Sequence, residues 1–391
     1  MITGEKKIAA PLRWGMIGGG KTSNVGYKHR SGALRDNTFQ LIAAAFDVDA
    51  ARGRDFGVNL GIDPARCYPD YKTLLSEEVK RSDGMQVVTI ATPNSTHYEI
   101  CKAALEAGLH VICEKPLFFE VEQGEEIIAL AEKKKKVVGV TYGYSGHTLI
   151  HQMRAMVKNG DLGEIRMIEL RYTHGFNSTD ESDKNSEGQK WRVDPKIAGP
   201  SFVLGDLSTH TYYMSRLICP DLRIEKLLCD RQSFIKSRAP LEDNAYVLMH
   251  YNTGAVGRLW SSSVNAGCMD GHHIRIIGSK ASIEFSDQQP NELLYEVQGK
   301  PVQKMLRAMP YLYDECNAYE RLGALHVEGL PDSWANIYLK IALAIDATDR
   351  GDKAALDNLV YPDLEAGVDG IRWVQSCVRS ADAGSVWVDF K

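Results

Sequence analysis

The first third of the chain alternates short apolar runs with longer stretches of helical spacing. The apolar runs fall at residues 14–17, 40–46, 85–91, 109–113 and 137–141, and helical spacing fills 97–107 and 124–136 between them. A strand with no polar alternation is buried on both faces. The pattern therefore predicts a doubly wound parallel sheet covered by helices.

Beyond residue 143 the period changes. Residues 164–172 alternate apolar and polar positions, and 245–250, 256–261, 274–277 and 282–285 are similar. Such strands, with few helices between them, predict an open, mostly antiparallel sheet with one wet face. Helical spacing returns at 333–348 and 363–380. The expected fold class is α/β. A nucleotide-binding domain spans residues 1–143 and a substrate-binding and oligomerisation domain spans 144–391, its last helices being candidates to pack back on the first. The polar, breaker-rich stretch 177–189 is expected to be a loop over a site, and the basic run 133–136 a solvated helix end.

Composition narrows the function. Hydrophobic residues are 44% and charged residues 25% of the 391, as in a globular enzyme, and this length suits two domains at about 150 residues each. A net charge of −5 argues against a nucleic-acid partner. No apolar run approaches the roughly 20 residues that span a bilayer, and no apolar stretch after the charged start has the look of a secretory leader. The eight cysteines form no C-x-x-C pair, so no metal site is expected; they fit reduced, buried thiols in a cytoplasmic protein.

Gly18-Gly19-Gly20 follows the first apolar run and precedes a helical stretch. In the G-x-G-x-x-G pattern, Gly18 permits the tight turn, Gly20 lets the backbone reach a pyrophosphate, and Ser23 takes the third, small position. Lys21 and Thr22 sit at the loop's tip. Asp47 closes the second apolar run, where an acidic side chain suits a ribose 2′-hydroxyl and repels a 2′-phosphate. Arg52 lies near enough to offset that repulsion. NAD is favoured over NADP.

Two further motifs end apolar runs: Ala91-Thr92-Pro93-Asn94-Ser95-Thr96-His97 and Cys113-Glu114-Lys115-Pro116. With the glycine loop they resemble the Gfo/Idh/MocA family of sugar and cyclitol oxidoreductases. The resemblance continues through Gly160-Asp161-Leu162-Gly163-Glu164-Ile165 and Gly205-Asp206-Leu207-Ser208-Thr209-His210, and covers nearly the whole chain. Residues 189–195 and 332–338 are similar to the longer members that act on levoglucosan, inositols or glucosides. The resemblance implies a Rossmann domain, a second domain whose sheet packs in homodimers or homotetramers, a cis Lys115–Pro116 bond, and reversible oxidation of a ring hydroxyl by NAD.

That chemistry needs a base near the hydroxyl and a donor for the charge that develops on its oxygen. Lys115 can hydrogen-bond the oxygen in either protonation state. Asp206 and His210, at i and i+4, would share one face of a helix; His210 can take the proton and Asp206 can orient it or hold the substrate. Thr92, Asn94, His97 and Glu114 are expected at the cofactor, with Asn94 equally suited to capping a helix. Tyr144, His147, Trp191, Arg192, Asp194 and His326 are substrate-pocket candidates, because aromatic faces stack on sugar C–H surfaces while Arg and Asp read hydroxyls. Lys190 and Arg192 would also suit an anionic substituent. The adjacent His272 and His273 face opposite sides of a strand and receive no role. Two alternatives stand beside the dehydrogenase. One is a glycoside hydrolase working by transient oxidation, elimination, hydration and reduction, with Tyr144 or His147 as its second base; the other is a non-catalytic dinucleotide sensor.

Overall fold

The computed structural model describes residues 2–180 and 190–391. They form two compact units, one of Gly4–Tyr142 with Trp334–Asp369, the other of Gly143–Ser333 with Gly370–Lys391 and the chain's first residues. The sequence pattern predicts one cut at 143/144 with the last helices as candidates to pack back; in the structure residues 334–369 group with the N-terminal unit. Backbone pairing accounts for this, since Val140 N–H donates to the Pro362 carbonyl at 2.8 Å. Gly367 also has no room for a side chain beside Leu117 and Val140.

In the N-terminal unit β1 (Leu12–Gly18), β2 (Phe39–Ala45), β3 (Val87–Ala91), β4 (His110–Cys113) and β5 (Val138–Val140) pair in parallel in the order β2-β1-β3-β4-β5. Every residue of β3, β4 and β5 is buried, which explains their unbroken apolar sequences. Strand order reverses between β1 and β3, and ligands of such sheets bind beyond the strand ends at that switch point. The basic run closes the helix Val121–Lys134. Lys133 and Lys134 occupy its last turn, where the helix dipole favours cations, and Lys135 is its left-handed cap.

The second unit is built on β6 (Ile165–Thr173), β7 (Ile224–Gln232), β8 (Asn244–Tyr251), β9 (Val256–Ser262), β10 (Gly271–Gly278), β11 (Ala281–Ser286), β12 (Glu292–Val297), β13 (Gln303–Leu306) and β14 (Val388–Asp389). Their order is β13-β12-β11-β10-β6-β9-β8-β7-β14. Only the pair β6/β9 is parallel. β7 escapes the apolar–polar pattern because its register is broken by an irregularity between Ile224 and Lys226. β12, the mostly exposed β13 and the two-residue β14 carry too little alternation to be marked by it. On the open face Met167, Tyr246, Leu248 and Val256 remain exposed. The inner face carries the helix Thr209–Ile218, buried at all positions but Arg216.

Of the expected loop at 177–189, residues 181–189 lie outside the described residues. Its start is held by buried Arg238, which donates to the carbonyls of Asn177 at 2.6 Å and Thr179 at 3.3 Å.

Candidate active site

The glycine loop is shaped by exclusion. Gly18 and Gly19 have φ of 73° and 70°, a region that favours glycine. A Cβ on Gly18 would stand 2.5 Å from the Ala91 carbonyl oxygen, and one on Gly20 2.7 Å from that of Phe46. Gly19 N–H donates to Ala91 at 3.0 Å, so the loop lies against the end of β3. Close helix packing falls to Gly26, not to Ser23. A Cβ on Gly26 would stand 2.0 Å from the Gly19 carbonyl oxygen, and the helix Gly26–Leu34 begins there. Ser23 instead accepts the Gly26 N–H at 3.2 Å. Lys21 and Thr22 are exposed at the tip. This bare backbone at a switch point fits the pyrophosphate of a dinucleotide.

Arg30 backs the loop, donating to the Gly19 carbonyl at 2.8 Å beneath the rings of Phe46 and Phe56. Arg52 grips Asp47 with two 2.7 Å hydrogen bonds, Nε to Oδ2 and Nη2 to Oδ1. Those bonds hold the Asp47 carboxyl below its ordinary range.

At the ends of β3 and β4, Lys115–Pro116 is a cis bond and Lys115 is partly buried. His97 is fully buried. Its Nε2 lies 3.0 Å from the Thr92 carbonyl, and its Nδ1 lies 3.0 Å and 3.2 Å from those of Pro116 and Leu117. The ring thus lies between the two motif loops, and as a neutral imidazole it donates one N–H to the carbonyls of one of them. Burial lowers its proton affinity. Thr92 accepts from the Thr96 hydroxyl at 2.7 Å. Asn94 opens the turn Asn94–Thr96, and the cap positions there belong to Pro93 and Thr96. Glu114 is buried and accepts a short hydrogen bond from Thr141.

In the second unit Asp206 does not share a plain α-helical face with His210. It sits in a π-helical turn, Leu204–Ser208, which leads into the α-helix carrying His210. Such wide turns recur at functional sites. Glu242 anchors the turn, accepting from the Phe202 and Leu204 N–H groups at 3.0 Å each and from the Ser201 hydroxyl at 2.5 Å. Arg192 Nε lies 3.4 Å from Asp206 Oδ2, and its guanidinium lies over the Trp191 ring.

The Tyr144 ring meets His210 edge-on at 5.0 Å and His272 at 4.2 Å, and its hydroxyl lies 3.2 Å from that of Tyr172. Tyr172 and His272 adjoin the Tyr144 ring and His174 adjoins Tyr172, and no motif marks them. The β6 alternation that buries Ile168 and Leu170 also carries Tyr172 inward, which was the available clue. His272 and His273 do face opposite sides; His273 pairs with Glu284 at 3.0 Å while His272 meets the Thr211 hydroxyl at 2.7 Å.

Three further pocket candidates have local roles of their own. Asp194 accepts the Lys196 N–H at 3.0 Å and caps the turn Pro195–Ala198. His147 is buried near Phe285, where desolvation lowers its pKa to about 4, and it precedes the helix Thr148–Lys158. His326 is exposed in a loop held by Arg307 through backbone carbonyls. The Lys190 side chain lies outside what is described.

Residues 12–142 match the oxidoreductase family's NAD-binding Rossmann fold, and residues 154–390 match its C-terminal alpha/beta domain. The chain belongs to the Gfo/Idh/MocA oxidoreductase family. This oxidoreductase is similar, at 69% identity over 100% of both chains, to the uncharacterized oxidoreductase YfiI of Bacillus subtilis. Its fold matches that of an inositol dehydrogenase homolog from Azotobacter vinelandii complexed with NAD+, at 57% identity, TM-score 0.98 and full coverage of both chains. The same homolog complexed with NADH and myo-inositol matches at 56% identity and TM-score 0.95, again over the full length of both. Levoglucosan dehydrogenase of Pseudarthrobacter phenanthrenivorans is 28% identical over 54% of this chain and 57% of its own.

Proposed function

We propose that this oxidoreductase is an NAD-dependent dehydrogenase of a cyclitol or sugar, with an inositol-like ring as the first substrate to try. The observation that carries the reading is the full-length likeness, at 56% identity, to a homolog complexed with NADH and myo-inositol.

When bound, the dinucleotide supplies a hydride acceptor for the carbinol carbon. Gly18, Gly19 and Gly20 offer bare backbone to its pyrophosphate, and Asp47 reads its adenosine ribose. Lys115 holds the reacting oxygen, and His210 takes the hydroxyl proton. Arg192 and the Glu242-anchored turn fix the place of Asp206, which orients the polar groups of the substrate. Tyr144 supplies an aromatic wall beside His210.

The reading extends to assembly and compartment. The open sheet face, with Met167, Leu248, Val256 and Trp387 around one groove, is the surface a second copy would cover in a homodimer or homotetramer. All eight cysteines are free and seven are buried, which suits the reducing cytoplasm.

The test is turnover of NAD+ with myo-inositol, other cyclitols, sugars and aryl glucosides, following reduced nicotinamide alongside any released aglycone. Reduced nicotinamide formed with a cyclitol or sugar supports the reading. Aglycone release without it replaces the dehydrogenase with the oxidation-dependent hydrolase. Lys115→Met should cost about 10²–10⁴ in kcat while dinucleotide binding persists; turnover within roughly tenfold of the parent removes Lys115 from the mechanism.

A further inference from the structure

Glu114 and His29 are far apart in sequence and meet in the core of the N-terminal unit. His29 Nε2 lies 3.2 Å from Glu114 Oε1, with side-chain exposures of 0% and 9%. The same oxygen accepts from the Thr141 hydroxyl. On its other side, His29 Nδ1 lies 2.7 Å from the Tyr338 hydroxyl. That hydroxyl is 3.1 Å from Thr89 Oγ1, which accepts the Trp14 indole N–H at 2.9 Å. Trp14, Thr89 and Tyr338 are fully buried.

An indole only donates, so Thr89 Oγ1 accepts from Trp14. The contacts allow Thr89 to donate to Tyr338 and Tyr338 to His29 Nδ1, the arrangement that puts the ring proton on Nε2, facing Glu114. A doubly protonated ring would present the same N–H. The carboxylate accepts one O–H, from Thr141, and has the His29 ring nitrogen 3.2 Å away. Burial pushes the Glu114 carboxyl up, but His29, Lys115 and Thr141 together outweigh it and hold the group below its ordinary range. His29 belongs to no dinucleotide motif, and nothing in the pattern of apolar positions marks it.

We propose that His29 is a positioning residue that fixes Glu114 as an oriented anion, and that this buried pair sets the preference of the protein for the oxidised over the reduced dinucleotide. The inference rests on the dinucleotide reading above. Asp47 follows β2 and Glu114 follows β4, on opposite sides of the β1/β3 switch point. A dinucleotide whose adenosine ribose is read by Asp47 would have its nicotinamide half on the β4 side of that point. The oxidised ring carries a positive charge that the reduced ring lacks, and a fixed carboxylate favours it through the Coulomb term alone.

The experiment measures dissociation constants for NAD+ and for NADH separately, by calorimetric titration without substrate. Glu114→Gln should lower the ratio Kd(NADH)/Kd(NAD+) by about tenfold, the effect of one pKa unit's worth of interaction. His29→Leu should move the ratio the same way. His29→Gln, whose amide can still turn an N–H toward Glu114, should keep the parental ratio. If His29→Leu does not fold, Tyr338→Phe breaks the chain one link further out and should also lower the ratio. Equal weakening of both forms in Glu114→Gln is what a merely structural role would give; it overturns the proposal and leaves the dinucleotide reading intact. A parent protein that binds neither form overturns that reading, and the proposal with it.

Discussion

Gly26 and Gly19 touch so closely that no side chain fits between them: a Cβ on Gly26 would stand 2.0 Å from the Gly19 carbonyl oxygen. The obstacle is backbone, and the same oxygen already accepts from Arg30 at 2.8 Å, so it cannot move aside cheaply. We expect Gly26→Ala to destabilise the protein by about 1–3 kcal/mol, the usual cost of overpacking. NAD+ affinity should fall with it, because the displaced residue is the middle of the glycine loop. Thermal unfolding and calorimetric titration check the two effects; a variant with parental values in both would contradict the packing argument.

Asp47 and Arg52 form a closed bidentate pair. Asp47→Ser removes the anion that repels a 2′-phosphate and releases a guanidinium suited to bind one. The expected outcome is a rise in NADP+ affinity relative to NAD+ by at least about tenfold, the discrimination carried by roughly 1.4 kcal/mol. Asp47→Ser combined with Arg52→Ala should lose most of that gain. Competitive titration of the two dinucleotides measures both.

Glu242 holds the turn that carries Asp206. Glu242→Ala orphans the buried N–H groups of Phe202 and Leu204, and should cost about 2–4 kcal/mol. Glu242→Gln keeps an oxygen for both and should cost less. Chemical denaturation separates the two variants; equal stability would show that the turn holds itself.

His147 ties stability to pH. Its folded pKa is lowered by burial to about 4, whereas an unfolded histidine protonates near 6.5. Between those values the unfolded chain binds more protons, so stability rises with pH and is lost as pH falls from about 6.5 toward 4. The shift amounts to about 3 kcal/mol across that window. Buried His97, His110 and the largely buried His174 are displaced in the same direction and steepen the slope. His147→Gln should flatten the dependence relative to the parent, as measured by denaturant unfolding at a series of pH values. An unchanged slope would mean that the ring is not desolvated.

Much of this protein is written in local pattern. Parallel strands enclosed on both faces are mostly apolar, so β3 to β5 could be read one by one, and the glycine loop and the Glu-Lys-Pro turn announce themselves because each needs particular backbone chemistry over a few residues. The alternation of β6 and β8 likewise marks a sheet with one open face. Harder to see was anything that depends on partners remote in the chain. The glycine that packs the first helix is Gly26 because the loop runs longer than its motif, and only the close approach to Gly19 reveals it. That Asp194 caps a turn and that His97 lies against carbonyls of two motif loops shows only in the folded chain. The linking of Trp14, Thr89, Tyr338, His29 and Glu114 joins segments more than two hundred residues apart. Periodicity encodes which face of an element is buried, but the identity of what it is buried against depends on how the elements are arranged in space, and hydrogen bonds between buried groups exist only once that arrangement is made.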